Sequence, residues 1–322
     1  MARFTRRGFT IADLAGTIVG MTLLAASSGV LLGMGLGTDD EQDEQTTKTR
    51  ATARKVKDAT HIRGIHQSFV LFAQNNMDRY PLPSALDISG DTVAGTPESK
   101  DTTANIYSIL VYQNFLTPEL LVSPVETNKQ IEVYGKYSYT EPAKAVNPRK
   151  ALWDPSFSGD FTGTAKSHAS YAHAMPWKGR LDGPWSNSFD SSQAVVCNRG
   201  PEIKDVAYNE QNTEATMLLA NSKSRTLHFF DASEEPRKDD DPVLWRGNIV
   251  FNDNSLHFRT SKYGDGQTVT EKDVGMFRFS EERKRPDLAF YNEDPNPKED
   301  NQFLGIFLTS GKARSDWKSI WD

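Results

Sequence analysis

From Leu14 to Gly37 the chain runs 24 residues without a single ionisable side chain, and no other feature of the sequence restricts it so strongly. At a rise of 1.5 Å per residue a helix of that length reaches about 36 Å, enough to cross a hydrocarbon core of about 30 Å with some tilt. The stretch therefore reads as a transmembrane helix, since a buried core helix rarely extends so far without a charge. Arg3, Arg6 and Arg7 precede it, while Asp39, Asp40, Glu41, Asp43 and Glu44 follow it. The positive-inside rule then places the first residues in the cytoplasm and everything after Thr38 outside.

The apolar content is a modest 37%, so the rest of the 322-residue chain reads as one polar, loop-rich body. A formal net charge of −6 and the lack of any long basic block leave no electrostatic footprint for nucleic acid. Cys197 is the single cysteine, which excludes an intramolecular disulfide and a thiolate-rich zinc site. It lies in an apolar, strand-like run and is expected to be buried.

Arg6-Arg7-Gly8-Phe9-Thr10-Ile11-Ala12-Asp13 resembles the cleavage motif of type IV prepilins and type II secretion pseudopilins. In that family a basic leader ends in Gly, Phe follows, and an acid stands fifth in the mature chain; here the acid is Asp13, where the family usually has Glu. Glycine at the cut lets a protease approach the backbone closely. A lone carboxylate at the edge of an apolar segment is costly unless paired, so Asp13 needs a partner. Cleavage between Gly8 and Phe9 creates one, the new ammonium of Phe9. The resemblance further implies N-methylation of Phe9, processing by a prepilin peptidase, and pairing of Asp13 with that amine as like subunits assemble. Gly16 and Gly20, and Gly29, Gly33 and Gly37, are spaced four apart, a ridge that permits close helix packing. The same Thr5-Arg6-Arg7-Gly8-Phe9 run also resembles the start of a twin-arginine export signal, although Asp13 interrupts what should be an uncharged signal core.

Beyond Thr38 a polar stretch free of Gly and Pro extends to Thr52, as a helix continuation or a tether. Val56, Ala59, Ile62, Ile65, Phe69 and Phe72, spaced three and four apart, then predict one face of an amphipathic helix ended by Pro81 and Pro83. Asn75 to Pro83 resembles the first soluble segment of pseudopilin-like proteins. A short helix is expected over 106–115. Short β-branched and aromatic runs predict strands at 131–139, 193–197, 226–230, 247–258, 275–279 and 302–308. The clearest is a hairpin turning at Asn252-Asp253-Asn254-Ser255. Stretches 87–103, 143–164 and 234–242 read as long surface loops. Gly247 to Asn254, with Val195 to Pro201, resembles parts of the large prepilin-type proteins described by an H-x9-DG motif; His228 lies too far upstream for that spacing, and Asn254 stands where the family has Gly.

For catalytic or metal chemistry the sequence offers little. His61 and His66 are five apart, poor spacing for sharing a metal on one helix face. His168, His173, His228 and His257 belong to no HExxH, CxxC or nucleophile-elbow pattern. Gly264-Asp265-Gly266 reads as a β-turn. Asp294, Glu299 and Asp300, or Asp239, Asp240 and Asp241, carry the hard oxygens that Ca²⁺ takes, and calcium occurs in some pseudopilins; without EF-hand spacing they read as solvated acidic loops.

The resulting expectation is an α+β protein: a long N-terminal transmembrane α-helix followed by a pilin-like head with an antiparallel sheet and long loops. Residues 1–8 would be a leader, 9–37 the membrane and assembly helix, 38–55 a linker or helix continuation, and 56–322 an extracytoplasmic head. The function implied is a non-enzymatic pilin- or pseudopilin-like subunit of the inner membrane, with a prepilin peptidase and like subunits as partners. The competing expectation is an exported or membrane-tethered binding protein, for instance a carbohydrate-binding one with Trp153, Trp177 and Trp185 as stacking platforms.

Overall fold

The computed structural model describes residues 39–211, 214–220, 244–262, 267–270, 276–280, 285–293, 298 and 300–321. Contacts divide the chain into two units, Met1–Gln45 and Thr46–Asp322, and the architecture is that of the second. Helix α1 spans Asp39–Gln74, 36 residues. Its apolar residues Ile62, Ile65, Phe69 and Phe72 are buried at spacings of three and four, each worth about 1.5–3 kcal/mol relative to exposure. Lys57, Arg63, Gln67 and Gln74 face solvent. Val56, at the same spacing, is 63% exposed.

Helix α1 stops well short of the prolines. Met77 and Asp78 adopt left-handed backbone angles (φ 55° and 57°), and the Asp78 amide donates to the Ala73 carbonyl. That turn satisfies a helix-end carbonyl before Pro81 is reached. Pro83 instead opens the next short helix, α2 (Pro83–Leu86), where its missing N–H costs nothing. Helix α3 covers Thr103–Tyr112, three residues earlier than the 106–115 expected, because the Thr102 hydroxyl caps it by accepting from the Asn105 amide.

The principal sheet has six antiparallel strands: β1 (Tyr171–Ala174), β2 (Ala194–Asn198), β5 (Leu244–Phe251), β6 (Leu256–Lys262), β10 (Leu304–Thr309) and β11 (Lys318–Ile320). They lie in the order β11-β10-β1-β2-β5-β6. A three-stranded sheet is formed by β3 (Ile203–Tyr208), β4 (Glu214–Leu219) and β7 (Gln267–Thr270), and a pair by β8 (Met276–Ser280) and β9 (Arg285–Leu288). The hairpin turns where expected: the Phe251 amide donates to Ser255, and Asn254 takes the left-handed conformation (φ 64°) that Asn tolerates.

Every residue of β1 and β2 is buried. Helices α1 and α3 contribute to one core, in which Ile62, Phe69, Ile106 and Tyr107 meet Tyr171, Val196 and Trp185. A second core gathers Ala172, Cys197, Ile249 and Trp245 with Leu288 and Phe290. Cys197 is fully buried, and burial pushes its thiol well above the usual range, so it is inert packing.

Several expectations are corrected. Among the described residues no helix is long and apolar enough to cross a membrane, so the expected architecture of a long transmembrane helix ahead of a pilin-like head is replaced by three helices beside a six-stranded antiparallel sheet. The long helix that is described, α1, carries Lys48, Arg50, Arg54, Lys55 and Lys57 within ten residues, charges that hydrocarbon would not accept. Residues 9–37, on which the membrane expectation rested, lie outside the described residues. Stretch 131–139 is irregular, its one β-bridge being the parallel pair Ile131 and Ser167; its aromatic residues Tyr134 and Tyr137 pack as rings against Phe157 instead of entering a ladder. Nor is 143–164 simply a surface loop, since Trp153, Phe157 and Phe161 are buried from it. The same holds for 87–103, where Lys100 is buried and its ammonium lies 2.9 Å from the Asp87 carboxylate.

Candidate functional site

Asp58 lies on α1 four residues before Ile62 and seven before Ile65, and so on the buried face of the helix. Its side chain is completely buried. Oδ1 accepts from the Ser123 hydroxyl at 2.5 Å, the Tyr171 hydroxyl at 2.9 Å and the Asn198 amide at 3.3 Å. Oδ2 accepts from the Asn248 amide at 2.8 Å. These donors come from a loop and from β1, β2 and β5, so one carboxylate ties the helix to three adjacent strands.

The network is internally consistent. The Asn198 side-chain oxygen accepts the Asn248 backbone N–H at 2.7 Å, which leaves its amide nitrogen to donate to Asp58. Burial, and after it the neighbouring Asp58 charge, pushes the Tyr171 hydroxyl well above its usual range, so it stays a donor. Among the described residues no cation pairs with Asp58, and its negative charge is held by neutral donors alone.

Two glycines make the arrangement fit. A Cβ at Gly247 would lie 2.7 Å from the Trp245 ring and 3.0 Å from Asn198 Cβ. One at Gly200 would meet the Phe290 ring at 2.3 Å. Beside them, Arg199 grips Glu126 through two bonds of 2.6 and 2.8 Å, with the pair 2% and 6% exposed. The Ser170 hydroxyl adds a third contact to Glu126 at 2.7 Å, and the Arg199 guanidinium lies 4.9 Å from the centre of the Phe161 ring.

Two buried histidines lie on the same core. The Tyr80 hydroxyl donates to Asn252 Oδ1 at 2.5 Å and accepts from His66 Nε2 at 3.1 Å, while His66 Nδ1 lies 3.1 Å from Asn254 Oδ1. Thr103 Oγ1 accepts the Phe307 N–H at 2.8 Å and donates to His173 Nε2 at 2.8 Å; His173 Nδ1 donates to the Ala174 carbonyl. Burial lowers both histidines, His173 to about 4. Neither has access to a substrate, and the Asp58 cluster contains no nucleophile poised against a base. Chemically this set of groups fastens α1 to the sheet.

Gly8, Phe9, Asp13, the leader arginines and Gly16, Gly20, Gly29 and Gly33 lie outside the described residues, as do His228, the 264–266 turn, Asp239 to Asp241, Asp294 and Glu299. Among the described residues no group of three His, Cys, Asp or Glu could hold a metal ion. Trp153, Trp177 and Trp185 are 0%, 7% and 1% exposed, so they cannot offer faces to a sugar. The indole N–H groups of Trp153 and Trp185 are spent on Asn105 and the Pro81 carbonyl. Asp58, Ser123 and Glu126 were not singled out by sequence reasoning. The available signal was an acid on the apolar stripe of α1. No protein-family model matches the chain, and searches of curated proteins and of solved structures return no match.

Proposed function

We propose that the protein is a non-enzymatic pilin- or pseudopilin-like structural subunit, processed between Gly8 and Phe9 and assembled with like subunits through residues 9–37. The observation that carries this reading is the basic leader ending in Gly8, followed by Phe9 and by an acid, Asp13, five residues into the mature chain. The partners are a prepilin peptidase and further copies of the same kind of subunit at the inner membrane, with the body outside the cytoplasm. The new Phe9 ammonium is N-methylated and pairs with Asp13, which removes two unpaired charges from an apolar setting. A subunit held by its first residues must pass any pull on them to its body. The Asp58 fastener and the buried Arg199–Glu126 pair suit that task, because load along α1 reaches three strands together and not one loop.

The test is intact mass and N-terminal sequencing of protein from membranes of the native host. A chain starting at Phe9 is expected, and Gly8→Leu is expected to leave the full precursor. Normal processing of Gly8→Leu, or a chain starting just beyond the small residues Ala25-Ala26-Ser27-Ser28, where a signal peptidase would cut, would overturn the reading in favour of an exported, released protein.

A further inference from the structure

An apolar pocket of about 400 Å³ opens where the end of α1 meets α2. Phe72, Tyr80 and Trp185 line it as buried residues, whereas Leu82, Leu86 and Leu181 are only partly covered and Met77 is 90% exposed. Asn76 and Arg79 add polar groups. The pocket therefore leaves aliphatic side chains in contact with water.

Phe189 stands beside it, 68% exposed and not part of the pocket's lining. The Asn187 N–H donates to the Asp78 carbonyl at 2.9 Å, and Arg79 and Ser186 form an antiparallel bridge, so the 186–190 turn runs along the 77–79 side of the pocket. At Phe189 the backbone is left-handed (φ 56°), a conformation that a bulky side chain rarely adopts. The turn is held from the core. Buried Asn252 donates to Ser188 Oγ at 3.0 Å and to Gln193 Oε1 at 3.1 Å, and the Ser188 hydroxyl donates to Gln193 Oε1 at 2.6 Å. Beyond Phe189, Asp190 Oδ1 accepts from the Ser192 amide and hydroxyl, each at 2.8 Å. A ring fixed in water by a tied turn has little freedom left to lose on contact, which suits an interface anchor.

Charge on this surface has both signs. Arg79 and Asp182 lie 3.6 Å apart and are 60% and 80% exposed, a loose pair free to exchange partners. Three carboxylates, on Asp78, Asp182 and Asp190, flank the surface, which disfavours an anionic bilayer as its occupant. An aromatic knob, an apolar hole and opposite charges side by side are self-complementary. A half-turn presents each copy's knob to the other copy's hole.

We propose that this surface is a two-fold contact between two copies of the chain, in which Phe189 of each copy enters the other's pocket among Met77, Leu82 and Leu86, and Arg79 of each reaches the other's Asp182. It is a contact of the body, separate from residues 9–37, and it requires no cleavage at Gly8.

Photochemical cross-linking tests this. Purified full-length chain with para-benzoylphenylalanine in place of Phe189 is mixed with nitrogen-15-labelled parent chain and irradiated, and the joined peptides are assigned by mass spectrometry. Products linking unlabelled position 189 to labelled residues 72–86 or 181–185 are expected. Ala85→Glu in the labelled chain, at an exposed position in the pocket, should lower their yield roughly tenfold by placing an unpaired carboxylate in the contact, with the far-ultraviolet circular dichroism unchanged. The same photoreactive residue in place of Val56, which is 63% exposed and lies about 24 Å along α1 from Phe72, should give none of these products. Links within one chain only, links to other parts of the body, a yield indifferent to Ala85→Glu, or equal products from position 56 would each overturn the contact. Processing at Gly8 should be normal in the variants, so failure here would leave that reading untouched.

Discussion

Asp58 is a charged side chain removed entirely from water and compensated by four neutral donors. Such a group costs little while every donor is in place and a great deal once the set is broken. Asp58→Ala should strand the Tyr171 hydroxyl and the Asn198 and Asn248 amides, and destabilise the protein by about 3 kcal/mol, at roughly 1–3 kcal/mol per orphaned group less some relaxation. Asp58→Asn should not restore stability, because its amide nitrogen would face donors. Urea unfolding measures both; a loss below about 0.5 kcal/mol for Asp58→Ala would mean that water replaces the carboxylate and that the fastener is not one.

Helix α1 shows how an element is recruited by what it packs on. Its buried face is centred on Phe69, whose ring lies 5.2 Å from Tyr80, 5.1 Å from Trp185 and 6.3 Å from Tyr107, centroid to centroid. Phe69→Ala should cost about 3–5 kcal/mol. Val56 has the same sequence periodicity but is 63% exposed, so Val56→Ala should change stability by less than about 0.5 kcal/mol. Equal effects in urea unfolding would show that the helix buries another face in solution. The periodicity of α1 was legible because Ile62, Ile65, Phe69 and Phe72 repeat as one face. Where that face stops being covered was not, because coverage depends on how far the sheet reaches.

For the molecule as a whole, acid stability is set by groups of opposite sign. Burial lowers His61, His66, His168 and His173, the last to about 4. Their contribution to stability is complete above the unfolded value near 6.5 and is lost as pH falls; for His173 that is about 3 kcal/mol by pH 4. Asp101 behaves in the opposite way. Burial raises it to about 7, so its contribution is complete below the ordinary carboxylate value and is lost as pH rises toward 7. Between about pH 4.5 and 6.5 Asp101 should offset His173, and the three other lowered histidines should leave a net loss of stability as pH falls. Asp101→Asn keeps an acceptor for the Ser84 amide, which donates to Asp101 Oδ1 at 2.7 Å. The variant should be more stable than the parent above pH 7 by about 1 kcal/mol or more, and should weaken steadily as pH falls through 6. An equally shallow pH dependence in Asp101→Asn and the parent would refute the role of Asp101. By itself, the sequence determined what depends on local order: the uncharged block from Leu14 to Gly37, the Gly8–Phe9–Asp13 motif, the apolar stripe of α1, and the hairpin turning through Asn252 to Ser255. Only the tertiary structure decided what depends on distant partners. Asp58 finds Asn248 across 190 positions, Arg199 finds Glu126 across 73, and 131–139, strand-like in composition, gives its rings to a core where no ladder waits for its backbone. Local patterns report which conformations a segment can adopt, whereas burial of a charge or a ring is settled by what the rest of the chain brings against it.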